Sequence, residues 1–371
     1  MIKVCKFGGT SMADKKSIEQ VLKILKSDKQ RKFAIVSAPG KRSEDDEKIT
    51  DLLYKSYEER HRKNQPAFNK IRKRFKEIVE DLQVNIDIDK HLDEIHAYIK
   101  DSVSDDYAAS RGEYLCAIIF AKKLGWSFID AEKYVKFNSK GIFDAETTND
   151  LIREKISNYE YAVIGGFYGS TPDGRVKTFS RGGSDITGSI IARGVKADVY
   201  ENWTDVNGFM TANPKIVKDP LPIDILTYEE LRELSYMGAS VLHPESLLPL
   251  RKTSIPINIR NTFEPENKGT TIVNEKKNFS KRLVTGIAGK PNYISIVISK
   301  SLMNNEKGFA RKVLSVLENH DISMEHLPTG IDTMSVIIDK DELKERISIQ
   351  DLVDEIRSKV SPDKISVSED L

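Results

Sequence analysis

One pattern in this sequence constrains its fold more than any other: short apolar runs end in glycine-containing turns and lead into helical segments. The β-rich run 2–7 stops at Gly8-Gly9, apolar residues then recur at helical spacing, and a second strand pattern follows at 33–37. A further apolar run at 161–166 also ends in two glycines, and the string RGGSD at 181–185 precedes another helix. This alternation of strands, turns and helices predicts an α/β layered fold.

Length and charge narrow the class of protein. At about 150 residues per domain, the 371 residues correspond to two or three domains. The 58 Lys and Arg residues against 57 Asp and Glu residues leave a net charge of +1, which gives no reason to expect a nucleic acid or an anionic membrane as a partner. The longest apolar stretch, at 162–169, is far shorter than the ~20 residues of a membrane span.

The chain start and the cysteines add to these exclusions. The first residues lack the apolar core of a secretion signal. Cys5 and Cys116 each lie in an apolar run, which indicates buried, reduced thiols in a cytoplasmic protein. The composition therefore excludes a secreted, membrane, disulfide-framed or disordered protein.

The segment 51–110 has a different character and is predicted to be mostly helical. Eight basic residues and no acid lie between Arg60 and Lys76, whereas ten acids and two lysines lie between Glu77 and Asp106. The opposed charges favour a pair of helices with complementary solvated faces over a nucleic-acid site.

The last segment of the chain predicts a separate domain that begins near residue 286. Strand patterns at 293–299, 322–327, 333–338 and 364–368 are interspersed with helical patterns at 308–319 and 349–360. The resulting order βαββαβ is that of a ferredoxin-like fold.

The first glycine turn is suited to phosphate binding. Two glycines let the backbone approach a phosphate closely, and Lys6 at the end of the preceding run would add a compact positive charge. For Gly8-Gly9 alone, a tight structural turn is the simpler explanation.

Two other strand ends carry ionisable side chains. The guanidinium of Arg181 suits a carboxylate or a phosphate, and the carboxylates of Asp185 and Glu113 suit an ammonium group, so the three together would bind an amino acid. An N-cap role for Ser184 or Asp185 is the alternative. Asp205 could orient a ribose, a nucleobase or a hydrated metal, or could simply form a turn. The six histidines show no metal-ligand spacing, so no protein-held metal is expected.

Five ordered motifs resemble those of the aspartate kinases, which belong to the amino-acid-kinase superfamily. They are KFGGTS at 6–11, VSAPGKR at 36–42, RGGSD at 181–185, WTDVNG at 203–208 and GASVLHP at 238–244. The C-terminal region resembles an ACT regulatory domain. The resemblance implies a three-layer αβα sandwich with a mostly parallel sheet at 1–285, with a helical insert at about 51–110. It also implies a ferredoxin-like, ACT-like domain at 286–371, with a second ACT unit incomplete or absent.

The resemblance further implies an activity. ATP would phosphorylate the β-carboxylate of L-aspartate to 4-phospho-L-aspartate, the first step of lysine, threonine and methionine biosynthesis, with Mg²⁺ held mainly through the nucleotide phosphates. Feedback inhibition by lysine or threonine is expected, as is a homodimer or higher homo-oligomer formed through the ACT-like domain.

The resemblance also implies roles for individual residues. Catalysis falls to Lys6, Arg181 and Asp185. The expected aspartate contacts are Thr50, Glu113, Phe167, Arg181, Ser184 and Asp185. The expected ATP contacts are Lys6, Phe7, Gly8, Gly9, Ser11, Ser37, Thr204, Asp205, Met210 and Lys215. The expected contacts of an end-product amino acid are Gly308, Ser323, Met324 and Glu325.

Three positions depart from patterns common in the family. Ser240 stands where many members have a lysine, and Met210 and Lys215 replace a frequent tyrosine and arginine. Lys215 keeps the positive charge but lacks the planar fork of arginine, so these changes bear on the nucleotide contacts and not on the reaction. Two other functions stay open: a sibling kinase acting on glutamate, N-acetylglutamate or UMP, and an amino-acid-sensing protein with a degenerate kinase domain.

Overall fold

The computed structural model describes residues 1–180, 182–239, 241–276, 283–343 and 346–369. Contacts within the chain separate it into two units, Met1–Ala288 and Gly289–Leu371. Arg181 and Ser240, which the motifs single out, lie outside the described residues.

The first unit is built around a large sheet whose strands alternate with helices along the chain. Its strands are β1 (Lys3–Phe7), β2 (Arg31–Val36), β3 (Ser127–Ile129), β4 (Ala162–Gly165), β5 (Tyr168–Ser170), β6 (Val176–Thr178), β7 (Val199–Thr204), β8 (Ile225–Thr227), β9 (Ile257–Asn261) and β10 (Thr270–Val273). Its helices are α1 (Lys15–Lys26), α2 (Ile49–Glu58), α3 (Pro66–Asp81), α4 (Ile88–Asp101), α5 (Asp105–Leu124), α6 (Ala145–Leu151), α7 (Gly183–Gly194) and α8 (Tyr228–Tyr236).

The strand order in this sheet is β3-β4-β2-β1-β7-β9-β10-β8, and β5 pairs with β6 in a separate hairpin. Neighbouring strands are parallel except for β9 and β10, which are antiparallel. Because parallel strands need crossover connections, the helices must cover the faces of the sheet.

Alternation along the strands divides the core into two layers. Val4 and Ile35 pack with residues of α7 and α8 on one face, whereas Cys5 and Val36 pack with residues of α1 and α5 on the other. The predicted three-layer αβα sandwich with a mostly parallel sheet is confirmed.

Helices α2, α3, α4 and the start of α5 occupy the segment in which helices are predicted. The apolar seam of α3 is buried as its spacing predicts, with Phe68, Ile71, Phe75 and Ile78 in the core. Only part of the basic run faces the acidic helix: Arg72 forms ion pairs with residues of α4, whereas other α3 cations contact the loop after β2.

The second unit contains β11 (Tyr293–Ser299), α9 (Phe309–Asn319), β12 (Thr333–Asp339), α10 (Lys340–Leu343), α11 (Ile349–Val360) and β13 (Lys364–Ser368). Both β12 and β13 pair antiparallel with the central β11. The apolar faces of α9 and α11 pack with residues of this three-stranded sheet in one core. The second unit is therefore a small layered α/β unit with three of the four strands that the ferredoxin-like prediction contains.

The predicted strand at 322–327 is wrong as a regular strand. Within this segment His326 forms an isolated bridge to β12, and a second isolated bridge follows at Thr329. Pro328 lies between those bridges and has no N–H to donate, so the ladder is interrupted there.

Among the described residues, no helix combines the length and apolar character that crossing a membrane requires.

Candidate active site

The carboxyl ends of β1, β2, β4 and β7 meet at one edge of the parallel sheet. In this sheet, β1 is hydrogen-bonded to both β2 and β7, and β2 is hydrogen-bonded to β4. In open α/β sheets this edge is where ligands bind. Most of the residues singled out in the first unit belong to the turns and helix starts that follow these strands.

A buried ion pair crosses this edge. Lys6 is 7% exposed, and its Nζ lies 2.7 Å from Oδ1 of Asp185 in the first turn of α7. Asn202 pairs with Lys6 in the β1–β7 register, and its Nδ2 donates to the same carboxylate oxygen at 2.8 Å. The structure thus brings two predicted residues from distant motifs together and adds a third, Asn202, that the sequence analysis did not identify.

The N-cap alternative for Ser184 and Asp185 is wrong. The residue that caps α7 is Gly182, which has a left-handed backbone (φ +59°), and both predicted residues lie inside the first helical turn. The Asp185 side chain is therefore available to Lys6 and Asn202 instead of closing the end of the helix.

The two turns after β1 and β2 pack backbone against backbone. The N–H of Gly40 donates to the carbonyl of Gly9 at 2.9 Å, and a Cβ on Gly40 would lie 2.7 Å from that carbonyl group. Any side chain at Gly40 would force the turns apart. The N–H of Gly8 donates to the carbonyl of Trp203 at 3.1 Å, so Gly8 offers a bare backbone surface and not a free donor.

Glu113 places a buried carboxyl group at the same edge. It is 5% exposed and accepts a backbone hydrogen bond from Ala38 in the turn after β2, yet its Oε2 has no partner among the described residues. Burial raises the pKa of Glu113 to about 8, against the opposing effects of the backbone hydrogen bonds and of the Arg111 charge. A buried carboxyl group with an unfilled acceptor is suited to a cationic ligand.

The guanidinium of Arg111 supports this part of α5. It is fully buried, and its Cζ lies between 4.4 and 5.1 Å from the ring centroids of Tyr107, Tyr114 and Tyr168. The hydroxyl of Tyr168 donates to Asp130 at 2.8 Å. Cation–π contacts thus link the helix that carries Glu113 to the strand that follows Phe167.

Phe167 forms the turn between β4 and β5 with a left-handed backbone (φ +81°), an uncommon conformation for a bulky residue. Its N–H donates to Oγ1 of Thr187 in α7 at 3.0 Å, and its carbonyl accepts from the N–H of Phe179 at 2.9 Å. These bonds hold the turn against α7, where Ser184 is buried in the first turn. Strain of this kind persists only where the surroundings fix it.

The remaining predicted residues of the first unit lie around this centre. The N–H of Ser37 donates to the carbonyl of Phe7 at 3.2 Å, and Thr50 is the second residue of α2, half-buried. The hydroxyl of Ser11 is buried and is 2.7 Å from the hydroxyl of Thr262. Ser11 therefore contacts the end of β9 through its side chain.

The loop after β7 carries the other expected nucleotide contacts. The Thr204 hydroxyl donates to the exposed Asp205 carboxylate at 3.2 Å. Further along, Met210 forms an isolated bridge with Pro222, and Lys215 is exposed. Thr204 and Asp205 thus lie at the sheet edge, and Met210 and Lys215 lie further out on the loop.

The four predicted effector contacts lie in the second unit. Gly308 caps α9 with φ +78°, and Met324 is 40% exposed. The N–H of Ser323 donates to Glu342 at 3.4 Å, and the N–H of Glu325 donates to the carbonyl of Ile337 at 2.8 Å.

The sequence and the fold can be compared with known proteins. Residues 1–261 match the profile of the amino acid kinase family. The aspartokinase 3 of Bacillus subtilis (strain 168) is 38% identical over 357 residues, which span 91% of this chain and 78% of the relative.

Solved structures show the same likeness. The aspartate kinase of Clostridium acetobutylicum matches with a TM-score of 0.92 at 46% identity, over 99% of this chain and 84% of that chain. E. coli aspartokinase III in complex with lysine and aspartate (T-state) matches with a TM-score of 0.78 at 26% identity, over 99% and 85% of the two chains. The same E. coli protein in complex with aspartate and ADP (R-state) has a TM-score of 0.72 at 25% identity, over 100% and 86%.

The family match to residues 1–261 and the relative of 38% identity confirm the resemblance: the chain belongs to the amino acid kinase family and, within it, to the aspartokinases.

Proposed function

We propose that the protein transfers the γ-phosphoryl group of ATP to the β-carboxylate of L-aspartate, which gives 4-phospho-L-aspartate and ADP. The observation that carries this proposal is the buried, unpartnered Oε2 of Glu113 at the sheet edge that also holds the Lys6–Asp185 pair. The E. coli relative binds aspartate and ADP, which supports the same substrates for this chain.

Recognition of aspartate begins with its ammonium group. In this proposal Glu113 and Asp185 supply carboxylates for this cation, and Phe167 and Ser184 line the pocket that holds the bound amino acid. Arg181 takes the α-carboxylate through its planar fork, and Thr50 at the start of α2 contacts the side-chain carboxylate that receives the phosphoryl group.

In phosphoryl transfer the protein contributes mainly by positioning the two substrates and by stabilising the charge of the transition state. The turns at Gly8-Gly9 and at Ser37 give the phosphates a close backbone approach, with Phe7 and Ser11 beside them. Lys6 already lies at this place, since a Cβ on Gly8 would be 3.4 Å from its Nζ. With both substrates bound, Lys6 neutralises negative charge that develops on the transferred group.

Mg²⁺ bound with the nucleotide would supply positive charge that offsets the charge of the phosphates. Among the described residues, no group of three or more His, Cys, Asp or Glu side chains could hold a metal ion. The proposal has Mg²⁺ bound mainly by the nucleotide phosphates. The nucleoside part of ATP would contact Thr204, Asp205, Met210 and Lys215.

The reaction can be tested by trapping the acyl phosphate. With ATP, Mg²⁺ and hydroxylamine, purified protein should form hydroxamate from L-aspartate, because an acyl phosphate reacts with this nucleophile. Parallel assays of ADP release with glutamate, N-acetylglutamate and UMP, which also detect UDP formation that hydroxylamine cannot trap, decide between the proposal and a sibling kinase. No aspartate-dependent product at saturating substrates, from protein shown by circular dichroism to be folded, would contradict the proposal and favour a degenerate kinase domain.

Regulation by an end product of the pathway is a second part of the proposal. E. coli aspartokinase III binds lysine as well as aspartate, and in this proposal Gly308, Ser323, Met324 and Glu325 of the second unit bind the effector. We expect lysine or threonine to lower the rate of hydroxamate formation and to give a heat of binding in calorimetry. Homo-oligomers form through the second unit in this proposal, and light scattering with and without effector tests that assembly. An unchanged rate and no heat of binding with either amino acid would contradict the regulatory part alone.

A further inference from the structure

One face of α3 holds the loop that follows β2, which we call the β2 loop (residues 37–48). Lys70, Arg74 and Glu77 are spaced i, i+4 and i+7, so they lie on the same face of the helix. Lys70 pairs with Glu47, the Nη1 of Arg74 donates to Asp46 at 2.8 Å, and Glu77 accepts from Arg42 at 2.9 Å. Three side chains on one face of α3 thus bind three residues of the β2 loop.

Arg74 differs from the other two because it is buried and reaches further. It is 5% exposed, and its Nη2 donates to the carbonyl of Gly40 at 3.0 Å and to the carbonyl of Ala13 at 2.6 Å. Gly40 belongs to the β2 loop, and Ala13 belongs to the loop that follows β1, which we call the β1 loop (residues 8–14). One guanidinium nitrogen therefore links the two loops that meet at the candidate active site.

The carboxylate of Asp46 keeps this guanidinium in place. Burial acts to raise the pKa of Asp46, but the Arg42 N–H and the Arg74 and Arg42 guanidinium groups outweigh it and hold that pKa well below its usual value. The carboxylate stays charged and fixes one side of the planar fork, so the other nitrogen points at the two carbonyls. A lysine carries its donors on a single nitrogen and lacks the planar fork that here directs one nitrogen to Asp46 and the other to the two carbonyls.

We propose that Arg74 is a positioning residue for phosphoryl transfer: it fixes the β1 loop against the β2 loop, and so sets the distance between the Lys6 turn and the start of α2. This inference rests on the proposed function. The proposal assigns α3, a helix of the insert, a specific role in positioning the reacting groups. A displacement of about 1 Å between reacting groups can cost on the order of 10²-fold in rate.

The test compares Arg74→Lys with Arg72→Lys in the full chain. Arg72 lies on the same helix and also binds two carboxylates, but these belong to Asp89 and Asp93 of α4. We expect Arg74→Lys to lower kcat for aspartate-dependent hydroxamate formation about 30-fold or more, while the Kd for ADP changes less than about 5-fold. Arg72→Lys should leave kcat within about 2-fold. An Arg74→Lys variant with wild-type kcat would overturn the proposal.

Two further measurements separate positioning from loss of folding. Arg74→Ala should regain at least about 10-fold in kcat when guanidinium is added at low millimolar concentration, because the ion can fill the vacated site; absence of rescue in folded protein contradicts the proposal. Asp46→Asn, which removes a charge without removing the arginine, should lower kcat in the same direction by a smaller factor.

Hydrogen exchange tests the link between the loops without any activity. Peptides that cover the β1 loop and the β2 loop should exchange faster in Arg74→Ala than in the wild type, and at the wild-type rate in Arg72→Lys. If the wild type shows no aspartate kinase activity, the proposed function fails while this measurement still decides whether Arg74 joins the loops. Equal exchange in all three proteins would overturn the inference.

Discussion

Replacing Lys6 by methionine is expected to lower the turnover of aspartate-dependent hydroxamate formation by more than ~100-fold. The ammonium of Lys6 is buried at the sheet edge and lies 2.7 Å from Asp185. Methionine keeps an unbranched side chain that is one atom shorter, but it removes the only charge that β1 directs to this place. A charge that acts on the transferred phosphoryl group in the transition state affects kcat more than it affects KM.

Lys3→Met is the matched control for this substitution. Lys3 lies on the same strand and also forms a 2.7 Å ion pair with an aspartate, Asp28, but it is at the opposite end of β1. Its loss should leave kcat nearly unchanged. If Lys6→Met instead changes only the KM for ATP, Lys6 contributes to ground-state binding and has no special role in the transition state.

The layered architecture was predictable because it depends on local patterns. Short apolar runs that end in glycine turns, as after Phe7 and Ile164, and that are interspersed with helical patterns specify a parallel sheet with helices on both faces. The predicted strand at 322–327 was wrong for a local reason too. Its residues favour a strand, but Pro328 interrupts the hydrogen-bond ladder that would have extended it.

The candidate site was predictable in its residue types but not in its contacts. Lys6 and Asp185 come from separate motifs, and nothing in their spacing shows that they form an ion pair. Asn202 was missed because a single amide within a strand, next to Glu201, carries no motif. Its one signal is that it lies near the end of a strand that pairs with the strand of Lys6.

The basic run at 60–76 shows a different limit of sequence analysis. Net charge predicts that basic and acidic helices neutralise each other, and Arg72 confirms this by pairing with α4. Arg74, two residues later, instead binds backbone carbonyls of two loops. A count of charges cannot show which face of a helix a side chain occupies, so the link to the site emerged only from the structure.

Glu113→Gln is expected to abolish a pH dependence as well as aspartate recognition. Burial raises the pKa of Glu113 to about 8, so the wild-type carboxyl group is mostly protonated at neutral pH. The ammonium of aspartate requires the carboxylate form. The wild-type kcat/KM for aspartate should therefore rise about tenfold per pH unit below pH 8 and level off above it, and aspartate binding at pH 7 should release a proton. In Glu113→Gln this rise should be absent, with kcat/KM at pH 9 lower by about 100-fold.

Folding stability supplies a second measurement on the same variant. A carboxyl group with a folded pKa above its unfolded value binds more protons in the folded state between about pH 4.5 and pH 8. Its contribution is fully present below pH 4.5 and is lost as the pH rises through 8, by at most about 1.4 kcal/mol per pH unit. Urea unfolding at pH 6 and pH 9 should show this loss in the wild type and not in Glu113→Gln. Asp105→Asn, an exposed acid at the start of the same helix, should behave like the wild type.

The two measurements together assign the pH dependence to one group. Tyr54 and Cys116 also carry titratable groups that interact electrostatically with Glu113, and both have pKa values raised above their ordinary values. If kcat/KM still rises with pH in Glu113→Gln, the titration of another group causes the rise. That result would contradict the role of Glu113 in binding the ammonium group. In Glu113→Gln, both the loss of stability between pH 6 and pH 9 and the rise of kcat/KM with pH should disappear. If both do, Glu113 is the group whose ionisation is unfavourable in the free protein because of burial. The ammonium group of the substrate then offsets that cost on binding.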